Sequence, residues 1–256
     1  MDAATVRQNS TAHARKIATL TGWLMVVTFV ASIPAYFILY APVRDHPDYI
    51  IGTSADPTAS VALGAVLELI VIIANIGTAV VPYVIYKRYS ETLALGYVAA
   101  RLVEATFIAI GIVSLLTFLL MRQEGTAGTD AALGQVFVAI YDRAFLIGPG
   151  FCAGVANGII LGYLMYRSGL VPRRMAMLGL VGGPLVAASG IAVMFDVIER
   201  GGAVQGIATI PEFFWELSFG IYLIVKGFKP SPILAGLDGE PGTRGAGSWS
   251  GSTAAS

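Results

Sequence analysis

The sequence predicts an all-α membrane protein: a bundle of six transmembrane helices with both termini on the cytoplasmic side. Three observations carry this reading. Of 256 residues, 56% are apolar and 12% charged, about half the charge of an average soluble domain, and the mean hydropathy is +0.75. The apolar residues gather in six long blocks, at about 17–40, 61–86, 93–121, 144–166, 175–195 and 209–225. Basic residues then alternate in density between the segments that join the blocks. A hydrocarbon core of roughly 30 Å needs about 20 helical residues to cross it. Backbone amides in lipid must bond within their own segment, so each block should be a helix. The alternating pattern of a membrane barrel is absent.

Each element follows from local signals. Ile17 to Tyr40 carries no formal charge. Arg7, Arg15 and Lys16 ahead of it resemble the start of a signal peptide, but a signal core is only about 7–15 residues long. The block is expected to be a retained first span, after a cytoplasmic segment over 1–16. The second block ends on Lys87 and Arg88, with Pro82 expected to bend it. The third holds Arg101 and Glu104. Before the fourth, Asp130 is a candidate cap, and Leu133, Val136, Phe137 and Ile140 lie at helical spacing. An interfacial helix is expected there, broken or kinked by Gly148-Pro149-Gly150. The fifth presents Gly179-x-x-x-Gly183-x-x-x-Ala187, a small-residue face for close helix contact. The sixth opens on Thr209-x-x-Glu212 with Pro211 in the first turn, which fits a capping box. The membrane domain covers 17–230. Residues 231–256, rich in Gly, Ser, Pro, Thr and Ala, read as a disordered cytoplasmic tail.

Orientation follows from the basic residues. Eleven lie on the side of the termini (Arg7, Arg15, Lys16, Lys87, Arg88, Arg167, Arg173, Arg174, Lys226, Lys229, Arg244). Four lie on the other: Arg44, Arg122, Arg143 and Arg200. The side with more positive charge is expected to be cytoplasmic, which places the protein in the cell membrane as a multi-pass chain.

Five charged residues fall inside the blocks: Glu68, Arg101, Glu104, Glu212 and Glu216. Each costs about 2.5–3.5 kcal/mol on insertion scales and should face the bundle or a cavity. Arg101 and Glu104 are three apart and share a helical face. Glu68 and Asn75, seven apart, share a face of the second span. With Glu212 read as a cap at the membrane surface, Arg101, Glu104, Glu68, Glu216 and Asn75 form the candidate buried polar cluster. Three carboxylates against one cation leave two negative charges uncompensated, so one or more is expected to hold a proton. Two readings follow. Arg101 pairs with one carboxylate while the rest hydrogen-bond and keep the helices in register, or the cluster is a proton- or cation-coupled site for a small solute or lipid. Asp142 and Arg143 read as a local pair, and Cys152 as a small apolar filler.

Three stretches carry a resemblance: Ala99-Ala100-Arg101-Leu102-Val103-Glu104-Ala105; Gly162-Tyr163-Leu164-Met165-Tyr166-Arg167-Ser168-Gly169-Leu170-Val171-Pro172-Arg173; and Pro211-Glu212-Phe213-Phe214-Trp215-Glu216-Leu217-Ser218 followed by Val225-Lys226-Gly227. In that order they resemble the bacterial membrane family catalogued as domain of unknown function 4386, over about residues 13–230. The resemblance implies a six-helix integral membrane fold and brings no catalytic residues.

Several function classes lack their residues. Balanced charge, sixteen basic against sixteen acidic residues, gives no footprint for nucleic acid. The two histidines, His13 and His46, lie outside the spans, so neither a metal site nor a serine–histidine dyad is expected there. No phosphate-binding glycine loop or cofactor motif is found, and no cofactor is expected. The lipid bilayer is the one partner the composition names. Arg44-Asp45-His46-Pro47-Asp48 reads as a solvated turn.

Overall fold

The structure, a computed structural model, describes residues 3–45, 58–123, 131–235 and 237. Every regular element among them is a helix, and six stretches are long and apolar enough to cross a membrane: Thr11–Asp45, Thr58–Tyr86, Glu91–Gln123, Ala132–Ser168, Arg173–Met194 and Ala203–Val225. His46, Asp48, Asp130 and most of the tail lie outside the described residues.

The first span is α1 (Ala3–Pro34), which continues as a π-helical turn over Ala35–Leu39. Pro34 has no N–H to give to the preceding turn, and the wider winding takes over there, with Tyr40 N bonding Ala35 O at 3.0 Å. A short helix, α2 (Ala41–Asp45), follows. The second span is α3 (Thr58–Val80); Pro82 interrupts it as expected before one further turn, α4 (Tyr83–Tyr86). The third, α5 (Glu91–Gln123), begins at Ser90, whose Oγ accepts from Leu93 N at 3.3 Å, with Glu91 in the positive first turn.

At Gly148-Pro149-Gly150, where a break or a kink is expected, the fourth span is not broken. Helix α6 (Ala131–Phe145) runs on through two π-helical stretches, Leu146–Cys152 and Gly154–Leu161, into α7 (Gly162–Ser168). Widened turns, not a break, absorb the missing donor of Pro149. Helix α7 stops at Gly169, whose φ of 68° makes the left-handed cap that favours glycine. Pro172 then precedes α8 (Arg173–Met194). The sixth span, α9 (Ala203–Val225), starts six residues earlier than the sequence suggested. The expected capping box does not form: Gly202 precedes the helix, Thr209 Oγ1 donates to Gln205 O at 2.9 Å, and Pro211 sits inside the helix.

The spans close into a ring in chain order. Helix α1 packs on α3, α3 on α5, α5 on α6, the fourth span on α8, α8 on α9, and α9 back on α1. The closing contact depends on glycine: a Cβ on Gly22 would fall 2.6 Å from Gly220 O. Fourth and fifth spans touch through backbone at Gly154, Gly158 and Gly183. Lipid-facing positions such as Ile73, Val113, Val181 and Ile221 are exposed.

The half of the bundle near the termini is densely packed around Tyr86, Tyr97, Leu164, Trp215, Phe219 and Leu223, all buried. A second core fills the far end of the first four spans, around Tyr40, Val61, Leu115, Phe118 and Tyr141. Arg15 fastens the ring at the termini face by donating to the last carbonyls of α9, Ile224 O at 2.7 Å and Val225 O at 3.1 Å. The cation also suits the negative helix end, so Arg15→Ala is expected to cost about 0.3–1 kcal/mol, read as a small drop in the thermal unfolding midpoint. The expected tail begins with a placed segment: Arg88 donates to Ala235 O at 2.8 Å, Ser231 Oγ to Ser168 O at 3.0 Å, and Leu237 is buried.

Candidate functional site

Between the two packed cores lies a cavity of about 200 Å³ to which all six spans contribute. Its lining includes the five residues singled out from the sequence, Glu68, Asn75, Arg101, Glu104 and Glu216, and adds Glu212. From these it runs outward to Phe37, which is 68% exposed, and Thr209, also exposed. The cavity therefore reaches the surface between α1 and α9 on the side away from the chain termini. Along this part of α9, Val204, Ile207 and Ile210 are exposed.

Three separate polar groupings meet around this space. In the first, each nitrogen of Arg101 is engaged. Its Nη1 donates to Glu104 Oε2 at 2.7 Å, its Nη2 to Asn75 Oδ1, and its Nε to Asn75 O at 3.4 Å. Asn75 Nδ2 returns a bond to Glu104 Oε1 at 3.0 Å. This closed triad joins α3 to α5, as a buried ion pair must be joined to offset its desolvation. In the second, Glu68 accepts from Tyr40 OH and Tyr141 OH, both at 3.1 Å. Gly64 makes room for the first ring and Gly111 for the second, since a Cβ would lie 2.8 Å from Tyr40 Cζ and 3.0 Å from Tyr141 Cδ2.

The third grouping is built on Asn157 of the fourth span. Its Nδ2 donates to Glu216 Oε1 at 2.7 Å, its Oδ1 accepts from Tyr97 OH at 3.0 Å, and its carbonyl accepts from Trp215 Nε1 at 2.9 Å. Three spans are thereby tied at the cavity floor. Glu212 belongs to none of the groupings. It is 4% exposed, and neither carboxyl oxygen has a hydrogen-bond partner among the described residues. The carboxyl lies against glycine backbone, where a Cβ on Gly158 would be 2.6 Å from Oε2. The sequence reading of Glu212 as a surface cap is thus overturned: α9 begins six residues earlier than expected and carries Glu212 into the bundle.

A charged network lies against Tyr36 of the cavity lining. Asp142 pairs with Arg44 through Nε at 3.3 Å and with both terminal nitrogens of Arg200, one of them at 2.7 Å. The expected local pair with Arg143 gives way to these partners from distant segments. Tyr36 lies under the network: its OH accepts from Arg44 at 2.9 Å, and its ring stacks on Phe145 with centroids 4.1 Å apart. Asp142→Asn removes the charge common to both arginines and is expected to cost about 1–2 kcal/mol. Adding salt should lower the unfolding midpoint of the parent protein and leave the variant nearly unmoved, because partly exposed pairs are screened.

Among the described residues no three His, Cys, Asp or Glu side chains come together as a metal site. Cys152 is half-buried in the π-helical stretch and unbridged.

Fold and site together define an integral membrane protein with six apolar helices around a buried acidic cavity. The chain belongs to the family described as domain of unknown function 4386, whose model matches residues 20–227. Neither a curated protein nor a solved structure matches it.

Proposed function

We propose that the protein binds a small solute in this cavity and moves it across the cell membrane with coupled proton movement. The carrying observation is the charge of the lining: four carboxylates, Glu68, Glu104, Glu212 and Glu216, against the single guanidinium of Arg101, which Glu104 and Asn75 already occupy. Three acids remain without a cation in a low-dielectric setting, where an uncompensated charge is costly. A proton neutralises such a group when the site is empty, and a bound solute can take over that role when it is filled. Tyr40 and Tyr141 face Glu68, and Tyr97 joins the Glu216 grouping through Asn157. The basic residues argue that both termini face the cytoplasm. In that orientation the mouth opens outward, the first turns of α6 lie near the outer interface, and the packed half closes the inner side. The Arg101–Glu104–Asn75 triad holds α3 and α5 in register beneath the site.

The test uses proteoliposomes loaded with a pH-sensitive dye and exposed to amino acids, sugars, carboxylates and primary and quaternary amines in turn. Saturable proton movement driven by one solute class, lost in a correctly folded Glu216→Gln variant, is the expected result. Traces matching protein-free vesicles for every class would overturn the proposal.

A further inference from the structure

We propose that the ligand of this cavity is an organic cation, a small amine with an aromatic or compact apolar body, and that Glu212 receives its ammonium group. The inference rests on the cavity reading above and names its substrate class. Three observations converge. Glu212 is a carboxylate 4% exposed that lines the cavity, with both oxygens unpartnered among the described residues. The guanidinium of the lining is already engaged, since each nitrogen of Arg101 bonds Glu104 or Asn75. The walls carry five aromatic rings, Phe29, Tyr36, Phe37, Phe145 and Phe213 of three different spans, and ring faces attract cations as they shelter an apolar body. Two of them meet edge to face across the α1–α9 contact, Phe29 and Phe213, with centroids 5.3 Å apart.

Other classes fit less well. An anion would meet three acids without a cation to receive it. A divalent metal would find no group of three ligating side chains among the described residues. A neutral solute would supply no charge to take over from the proton on Glu212. Size narrows the choice further: about 200 Å³ is a little more than the roughly 150 Å³ that holds a benzene molecule. A ring with one short ammonium arm is the right scale.

Benzylammonium, benzyl alcohol and benzoate form a matched series in which charge is the variable. Each is titrated by calorimetry into detergent-purified full-length protein, with empty micelles subtracted, for the parent protein and for Glu212→Gln, a near-isosteric change whose fold is checked by gel filtration. Saturable binding of benzylammonium at least ten-fold tighter than of benzyl alcohol, with none of benzoate, is expected. In Glu212→Gln that preference should shrink at least ten-fold. Equal binding of the alcohol or the anion, a Glu212→Gln variant with the parent preference, or binding of none of the three would overturn the proposal. The two failures separate cleanly. Proton movement driven by a neutral or anionic solute sinks the amine assignment and leaves transport standing. Benzylammonium binding without any proton movement sinks transport and leaves the cation site.

Discussion

Arg101→Ala should cost the bundle on the order of 3–5 kcal/mol, the range for breaking a buried ion pair from one side. The guanidinium supplies three bonds within the triad, and its loss leaves Glu104, 4% exposed, with only the Asn75 amide against its charge. The cost comes chiefly from the abandoned carboxylate and less from the lost attraction. A triple replacement, Asn75→Leu, Arg101→Leu and Glu104→Leu, clears the whole triad and should therefore recover most of the stability although it removes more polar contacts. Thermal unfolding of purified protein in detergent separates the two accounts. A triple variant as unstable as the single one would show that the bonds themselves, and not the stranded charge, hold α3 to α5.

An effect of similar size is expected at a residue with no polar side chain. Gly183 lies where the fourth and fifth spans cross, and a Cβ there would stand 2.5 Å from Gly154 O, 2.6 Å from Gly158 Cα and 2.7 Å from Ile159 N. All three are backbone atoms, so no side chain can swing aside. Gly183→Ala should cost at least about 1–3 kcal/mol, and Gly183→Leu should prevent recovery of monodisperse protein. Gly206 of α9 provides the contrast: nothing lies within 4 Å of its absent Cβ. There an alanine should stabilise the helix by about 0.5–1 kcal/mol through backbone entropy. Equal behaviour of the two alanine variants would mean that the helices do not approach so closely.

The spans were legible because the bilayer demands one property over a long run of residues, and a charge inside such a run stands out. Glu68, Arg101, Glu104 and Glu216 were visible for that reason. Glu212 was equally visible and still misplaced. Thr209, Pro211 and Glu212 reproduce a helix start, while the true first turns, Ala203 to Ala208, include Gln205 and Gly206 and blunt the hydropathy. The uncharged members of the site were missed. Asn157 reads as an ordinary small polar residue between Ala156 and Gly158, and Tyr97, Trp215, Tyr40 and Tyr141 as apolar bulk or interfacial rings. A usable signal existed for Asn157, because a buried amide in lipid requires partners as a carboxylate does. Nothing local could have paired Asp142 with Arg44 and Arg200, which are 98 and 58 residues away. The π-helical continuity of the fourth span was hidden by Gly148-Pro149-Gly150, which in water would end a helix, whereas in a bundle widened turns restore the bonding.

The ring order bears on how the molecule is made. Five of the six helix interfaces join segments that leave the ribosome one after another, so each can form as soon as its second member is inserted. Only the seam between α1 and α9 must wait for the sixth span, with Gly22 against Gly220 and Arg15 over the last carbonyls as its clasp. Until that seam shuts, Glu212 and Glu216 are not yet in place. A nascent chain of five spans therefore presents Arg101 and its neighbours through an open side, and biogenesis finishes with the step that encloses them.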